Sequence, residues 1–234
     1  MARIAHHKVR ALGAIAERMA RSVAEKGDNA TARRFLAEVN RVHAGAAALD
    51  NVRANRSPLD TPEGHALKVG KLAKKFDNEV TAVINRSGEI WREGMRDVQR
   101  RIDEKIDLKP NAFAEEIRAT FRTMNRKSKV ELLGQLVKEN RGPELAAIVK
   151  APSILSGISD AERADYERAI ISMHAPKELA EQTWLDELFD SVGIVATTSS
   201  GLVRDFMDPG ELARIEHADA LATEAGEAFD QSLQ

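Results

Sequence analysis

The chain of 234 residues contains no cysteine, and aromatic residues make up only 4% of it. The absence of thiols excludes disulfide bonds and thiolate catalysis, and it fits a reducing compartment or an assembly that is indifferent to its compartment. The core must therefore be built mainly from alanine, leucine, isoleucine and valine. No run of eighteen apolar residues occurs either, and this excludes a transmembrane helix.

Sequence signatures of catalysis, cofactor binding and metal binding are also missing. The chain contains no phosphate-binding glycine loop, no G-x-S-x-G elbow and no H-E-x-x-H pair. Its six histidines are scattered, except for His6 and His7, and adjacent residues on a helix point in different directions. We therefore expect a non-enzymatic protein with no catalytic residues, no cofactor and no metal ligands.

The sequence does contain a pattern that predicts one very long helix over residues 62–109. Thr61 is suited to cap its start, Pro62 fits the first helical position, and Pro110 is expected to end it. At about 1.5 Å per residue such a helix extends on the order of 70 Å. An average helix has only about 11–12 residues, so this element dominates the predicted architecture.

Apolar residues recur along the predicted long helix in steps that alternate between four and three, as in a coiled coil or helical bundle. A compact monomer of this size needs no helix of that length. We therefore expect the apolar stripe to pack against helices of other copies of the chain, giving a homo-oligomer. The predicted interface residues are Val69, Phe76, Val80, Val83 and Ile90.

The remaining pattern is helical throughout and predicts an all-α fold. Two helices, over about 2–26 and 30–52, join the long helix in an elongated N-terminal hairpin or bundle, which we assign to residues 1–110. Shorter apolar stripes separated by proline and glycine predict a compact bundle of short helices over 111–207. An acidic helix over 208–234 completes the predicted organisation.

Two helix starts carry the Ser-x-x-Glu spacing of a capping box, Ser128 with Glu131 and Ser159 with Glu162. The segment over 192–201 is rich in β-branched and small residues, which also suits an extended linker. Because no second convincing strand is present to pair with it, we expect a helix to about Ala196 followed by a turn.

The net charge of −2 conceals a strong polarity along the chain. Residues 1–150 carry 30 Lys and Arg against 20 Asp and Glu, whereas residues 151–234 carry 5 against 17. Opposed charges favour association of unlike ends of neighbouring copies, but a basic region can also contact nucleic acid. The densest basic cluster falls in a predicted loop, and its candidate nucleic-acid contacts are Arg122, Arg126, Lys127 and Lys129.

The segment from Glu144 to Glu162, with Tyr166 and the residues His174 to Pro176 that follow, resembles helical proteins of unassigned role in structural-gene clusters of tailed bacteriophages and prophages. The resemblance implies a virion component present in several copies, at the capsid or at the head–tail junction. It further implies other virion or assembly proteins as partners, and a location in the virion, or in the host cytoplasm during assembly.

Together these observations favour a structural or assembly protein that acts through helix–helix self-association and docking. The alternative is a helical module that associates with nucleic acid through its basic N-terminal part.

Overall fold

The structure is a computed structural model that describes residues 6–27, 29–206 and 209–232. Of these residues 87% are helical, and they form ten helices and no strand. The predicted all-α class is therefore confirmed. The helices are α1 (His7–Lys26), α2 (Ala30–Ala54), α3 (Pro62–Ile106), α4 (Ala114–Thr123), α5 (Arg126–Lys138), α6 (Gly142–Val149), α7 (Ser153–Ser156), α8 (Asp160–His174), α9 (Pro176–Phe206) and α10 (Pro209–Ser232).

Helix α3 is the predicted long helix, and it runs unbroken for 45 residues. The Thr61 hydroxyl oxygen accepts a hydrogen bond from the Gly64 N–H at 3.0 Å, so this residue caps the helix as expected. The helix ends at Ile106, three residues before the predicted boundary. Asp107 adopts a left-handed backbone with φ of 48°, and this conformation ends the helix before Pro110 can.

The chain divides into two compact units. Unit 1 comprises residues 1–91 and 187–234, and unit 2 comprises residues 92–186. These boundaries differ from the predicted segments 1–110, 111–207 and 208–234. The difference arises because α3 and α9 each contribute residues to both units, so no boundary falls at the end of either long helix.

Unit 1 contains α1, α2, α10 and the adjoining parts of α3 and α9. Small residues allow its helices to approach closely. A Cβ added at Gly13 of α1 would lie 3.0 Å from the His43 ring of α2, and one added at Gly45 would lie 3.0 Å from the Phe76 ring of α3. The few aromatic side chains are used at such contacts, including Trp91, whose ring stacks on that of Phe189 at 5.6 Å between centroids.

Unit 2 is organised around α6, a helix of eight residues whose side chains are almost entirely buried. Helices α4, α5 and α8 pack against it. A helix that is apolar on all sides is stable only when other elements surround it. The short helices of this unit therefore form a shell around an apolar centre that contains Leu145 and Ile148.

Of the two predicted capping boxes, only the one at α8 is present. The Glu162 carboxylate accepts a hydrogen bond from the Ser159 N–H at 2.9 Å, and the Ser159 hydroxyl accepts one from the Glu162 N–H at 3.2 Å. The prediction for Ser128 is wrong. Asn125 caps α5 by accepting a hydrogen bond from the Ser128 N–H at 2.9 Å, so the helix begins three residues earlier than predicted.

The predicted turn after Ala196 is also wrong, because α9 continues through residues 192–201 to Phe206. Residues Val192, Val195 and Leu202 are buried, and their spacing matches one face of a helix. The Thr198 hydroxyl donates to the Ile194 carbonyl at 2.8 Å, and this local bond satisfies it within the helix. Burial of the helix face outweighs the extended preference of β-branched residues.

We predict that Gly142→Ala destabilises unit 2 by about 1–3 kcal/mol or more, the usual cost of overpacking. A Cβ at this position would overlap the carbonyl oxygen of Ile106, and backbone cannot move aside cheaply. Gly134→Ala is the matched control, because a Cβ there meets nothing within 4 Å in the middle of α5. The control should raise the free energy of unfolding by about 0.5–1 kcal/mol, because alanine is more stable than glycine within a helix. Urea unfolding followed by circular dichroism measures both, and equal stability of the two variants would contradict the packing described.

A second prediction concerns the pH dependence of unfolding. Lys105 donates to the buried Glu178 carboxylate at 2.8 Å, and this hydrogen bond lowers the pKa of Glu178 below its ordinary value of 4.5. The ionised form therefore stabilises the folded chain above about pH 4.5, and that stabilisation is lost as the pH falls through the lower folded pKa.

Glu178→Gln should accordingly cost about 1 kcal/mol at neutral pH, and this cost should shrink as the pH falls through the lowered folded pKa of Glu178. Glu131→Gln, at an exposed carboxylate 3.9 Å from Lys127, is the control and should change stability by less than about 0.5 kcal/mol. A penalty for Glu178→Gln that stays constant from neutral to acid pH would show that its ionisation has no such role.

Candidate functional site

The residues predicted to form an interface between copies are buried within a single chain. Each of them exposes at most 8% of its surface. They are Val69, Phe76, Val80, Val83 and Ile90. The prediction that this stripe packs against another copy is therefore wrong for these side chains, because the chain itself already covers them in the core of unit 1.

A network of charges fastens α2 to α3 beside this stripe. The Arg86 guanidinium donates to both carboxylate oxygens of the buried Glu38, at 3.2 and 2.9 Å, and to Glu79 at 2.8 Å. Donating hydrogen bonds to these carboxylates raises the pKa of Arg86, and its guanidinium lowers the pKa of Glu79. Each charge of this cluster has a partner of opposite sign, and the cluster holds α2 and α3 in register. Its role is therefore structural.

The residues predicted to contact nucleic acid lie on two helices, so the predicted loop is wrong. Arg122 is in the last turn of α4, and Arg126, Lys127 and Lys129 are in the first turns of α5. Only Met124 and Asn125 separate the two helices. The structure brings three of the four cations towards one surface of unit 2, whereas Lys127 points elsewhere and pairs with a carboxylate on its own helix.

Arg126 and Lys129 line a cleft of about 370 Å³ between α5 and the start of α8. We refer to it as the cationic cleft. Its other lining residues are Val130, Leu133, Gly157, Ile158, Glu162 and Tyr166. The Lys129 ammonium lies 5.2 Å above the centre of the Phe121 ring, a cation–π arrangement that favours this position of the charge.

Gly157 shapes the floor of the cationic cleft. Its φ of 71° is left-handed and suits glycine in the turn after α7. A Cβ at this position would lie 3.5 Å from the Lys129 ammonium nitrogen and 4.0 Å from Arg122 Cγ. The turn therefore lies close to the Lys129 ammonium and to the Arg122 side chain, with no side chain of its own in between.

Two other groups of the cationic cleft can exchange protons. Hydrogen bonds from Ser159, with a smaller contribution from Arg126, lower the pKa of Glu162, so this carboxylate is ionised and held by the α8 cap. Burial, with a smaller contribution from Glu162, raises the pKa of the Tyr166 phenol. The phenol is therefore protonated at neutral pH and can donate a hydrogen bond to a ligand.

Unit 1 contains an apolar groove of about 400 Å³ between α2 and α3, which we call the α2–α3 groove. Apolar side chains predominate in it, and Leu72 at its edge is 36% exposed. Lys75 and Glu79 are its charged members. The remaining lining residues are Gly45, Ala48, Leu49, Val52 and Phe76.

Helix α10 is the least covered helix of unit 1. Every residue from Glu216 to Ser232 is exposed, including Leu221 at 53% and Phe229 at 63%. Contact with the rest of the unit occurs near the start of the helix, where Leu212 packs over Gly70. An ion pair follows, between the Lys71 ammonium and the Asp219 carboxylate at 4.0 Å.

The histidines do not gather into a metal site within the described residues, where no group of three or more histidine, aspartate or glutamate side chains could hold an ion. The expectation that His6 and His7 point apart is wrong, because their ring centroids lie 4.5 Å from each other. His6 precedes α1 and caps it, so the rule for adjacent helical residues does not apply. Its Nε2 lies 3.0 Å from the Asp205 carboxylate.

Sequence reasoning missed several residues of both surfaces. Tyr166 and Gly157 of the cationic cleft are far from the basic cluster along the chain, and only tertiary packing brings them to it. The single signal was that Tyr166 is the one tyrosine of the chain. The α2–α3 groove had no signal, because its apolar residues follow the same periodicity as the core.

No helix within the described ranges is both long enough and apolar enough to cross a membrane. In comparisons with known proteins, no family model, curated protein or solved structure matches this chain.

We predict that Val83→Asp unfolds unit 1 and does not yield a folded monomer. An unpaired charge in this core costs several kcal/mol, a large part of the total stability of an ordinary domain. The matched control is Ile84→Asp, one residue along α3 at a side chain that is 39% exposed, and it should retain the native helix content. Circular dichroism with light scattering distinguishes the outcomes. A Val83→Asp chain that is monomeric and keeps native helicity would contradict this prediction and would support the hypothesis that Val83 lies at an interface between copies.

Proposed function

We propose that this chain is a non-enzymatic assembly protein, present in several copies, that joins one copy to the next through α10. The observation that supports this most directly is the exposure of α10 from Glu216 to Ser232. Protein helices gain most of their stability from packing an apolar face against other elements. A second chain that covers α10 would supply the packing that its own chain does not.

The geometry of α10 identifies the face that a second chain would cover. Leu212, which packs on Gly70, and Leu221 are nine residues apart, which is two and a half turns of an α-helix. They therefore lie on opposite faces. Leu221 and Phe229 are separated by about 80° around the helix axis, and Phe229 lies about 100° from Leu212. A partner that contacts both side chains would therefore cover the far face and one side of α10.

Charge and apolar surface together favour the α2–α3 groove of a second copy as the partner of this face. Residues 209–232 contain six Asp or Glu and one Arg. Lys75 stands in the groove, where Glu79 is already bonded to Arg86, and Lys68 and Lys74 are exposed on the same helix. Unlike charges steer such surfaces together. A contact between two different surfaces repeats from copy to copy and generates rings or filaments.

This mode of growth agrees with the resemblance to phage structural-gene products. On that basis we propose that the assembly is part of a virion, on the capsid or at the head–tail junction, together with other virion proteins. The placement within a particle depends on the resemblance alone.

Association with nucleic acid is the second candidate function. Fewer cations support it than the overall charge of the basic N-terminal part indicates. Several cations of α3 are already paired, since Arg86 bonds Glu38, Arg101 lies 2.7 Å from the carboxylate of Glu181, and Lys105 bonds Glu178. The cations of the cationic cleft are the specific observation in its favour. They confine this candidate to a small surface of unit 2.

The assembly proposal predicts that the native mass of the purified chain exceeds that of a monomer over about 1–100 μM, the range of moderate dissociation constants. Leu221→Glu combined with Phe229→Glu should return the chain to a monomer of 25.7 kDa with unchanged circular dichroism. Both side chains are exposed, so the fold tolerates the charges. Sedimentation velocity measures the change.

The control is Ala220→Glu, which adds an acidic side chain to α10 about 100° away from Leu221 and on the side opposite Phe229. It should leave the native mass as it is. A wild-type chain that stays monomeric throughout the concentration range, or an oligomer that survives the double substitution, would refute the role of α10.

A further inference from the structure

The cationic cleft carries an excess of positive charge that the fold itself does not use. Among the described residues, no carboxylate lies within 4 Å of the side-chain nitrogens of Arg122, Arg126 or Lys129, by contrast with the nearby pair of Lys127 and Glu131. Glu162 lines the cleft, but its carboxylate accepts hydrogen bonds from the Ser159 N–H and hydroxyl at 2.9 and 2.8 Å. Glu162 also interacts with Arg126 through its charge, so the cleft lining carries two cations against one carboxylate and keeps an excess of one positive charge.

Packing also fixes where these charges stand. The Phe121 ring lies beneath the Lys129 ammonium, and Gly157 brings the backbone close to both Lys129 and Arg122. Helix α5 presents Arg126 and Lys129 to the cleft, while Tyr166 reaches it from α8. Donors that arrive from two helices around one cleft constitute a more specific arrangement than a run of exposed lysines.

The shape and the donor set suit a small oxyanion. A volume of about 370 Å³ falls at the lower end of the range for ligand sites, about 300–1,000 Å³. The planar fork of Arg126 matches two oxygens of a phosphate, the Lys129 ammonium acts as a point charge, and the Tyr166 phenol can donate one hydrogen bond. The apolar side chains of Val130 and Ile158 border the same cleft and offer contact to the organic part of a ligand.

We infer that the cationic cleft binds a phosphate group of a phosphorylated ligand, with Arg126 and Lys129 as the principal contacts and Tyr166 as a hydrogen-bond donor. This inference is independent of the assembly role, because no residue of α10 or of the α2–α3 groove takes part in it. A free phosphorylated molecule and the phosphates of a nucleic acid present the same chemistry to this site.

The test uses the full chain and three probes at constant ionic strength set with chloride. Pyrophosphate represents the free molecule, a 5′-phosphorylated single-stranded oligonucleotide represents the end of a nucleic acid, and the same oligonucleotide without its terminal phosphate represents internal phosphates. Thermal stabilisation reports binding of pyrophosphate, and fluorescence anisotropy reports binding of the oligonucleotides. At least one probe should bind saturably.

Arg126→Gln and Lys129→Gln should each weaken that binding at least about tenfold, equivalent to about 1.4 kcal/mol. Lys127→Gln is the matched control, since it removes the same charge from the same turn of α5 at a side chain that does not line the cleft. It should change the affinity by less than about twofold, or about 0.4 kcal/mol. Tyr166→Phe, which removes only the hydroxyl, should weaken binding less than the loss of either cation.

The probe that binds most tightly identifies the source of the phosphate. Absence of saturable binding of all three probes would overturn the inference. So would an equal loss in Lys127→Gln and in the cleft variants, because the attraction would then be a general effect of the basic surface. The α10 double substitution should leave probe binding unchanged, and this keeps the outcome separate from that of the assembly proposal.

Discussion

The whole structure depends on the covering of one apolar stripe along α3. Helix α3 has 45 residues, and protein helices gain most of their stability from packing an apolar face such as this stripe. In unit 1 the stripe from Val69 to Ile90 is buried by the chain itself, and in unit 2 Val98, Ile102 and Ile106 are buried in the same way. The long helix thus contributes buried residues to the core of unit 1 and, further along the chain, to the core of unit 2.

Small residues and paired charges make this packing specific. Gly45 allows the Phe76 ring to lie close to α2, and Gly142 allows α6 to start against the end of α3. Glu38 is buried only because Arg86 bonds both of its carboxylate oxygens. A buried carboxylate without such a partner would be costly, so the pair also disfavours any other register of α2 on α3.

The surfaces that remain have different characters in the two units. Unit 1 exposes an acidic helix with two large apolar side chains and contains an apolar groove with a lysine in it, which suits contact between proteins. Unit 2 places two cations and one carboxylate around a cleft, and the net positive charge suits an anionic group. A protein that assembles through one unit and binds a phosphorylated ligand through the other is consistent with the opposed charges of the two ends of the sequence.

Periodicity and capping determined the helical class, the extent of α3 to within three residues and the cap at Ser159, because these depend on neighbours within a few positions. The surface that covers α3 was decided by tertiary structure, because the sequence pattern of an apolar stripe is the same whether its own chain or another copy buries it. The helical state of residues 192–201 was decided in the same way, by burial of Val192, Val195 and Leu202. Likewise, the basic cluster near Arg126 was visible in the sequence, but its proximity to Gly157 and Tyr166 depends on the packing of α5 against α8.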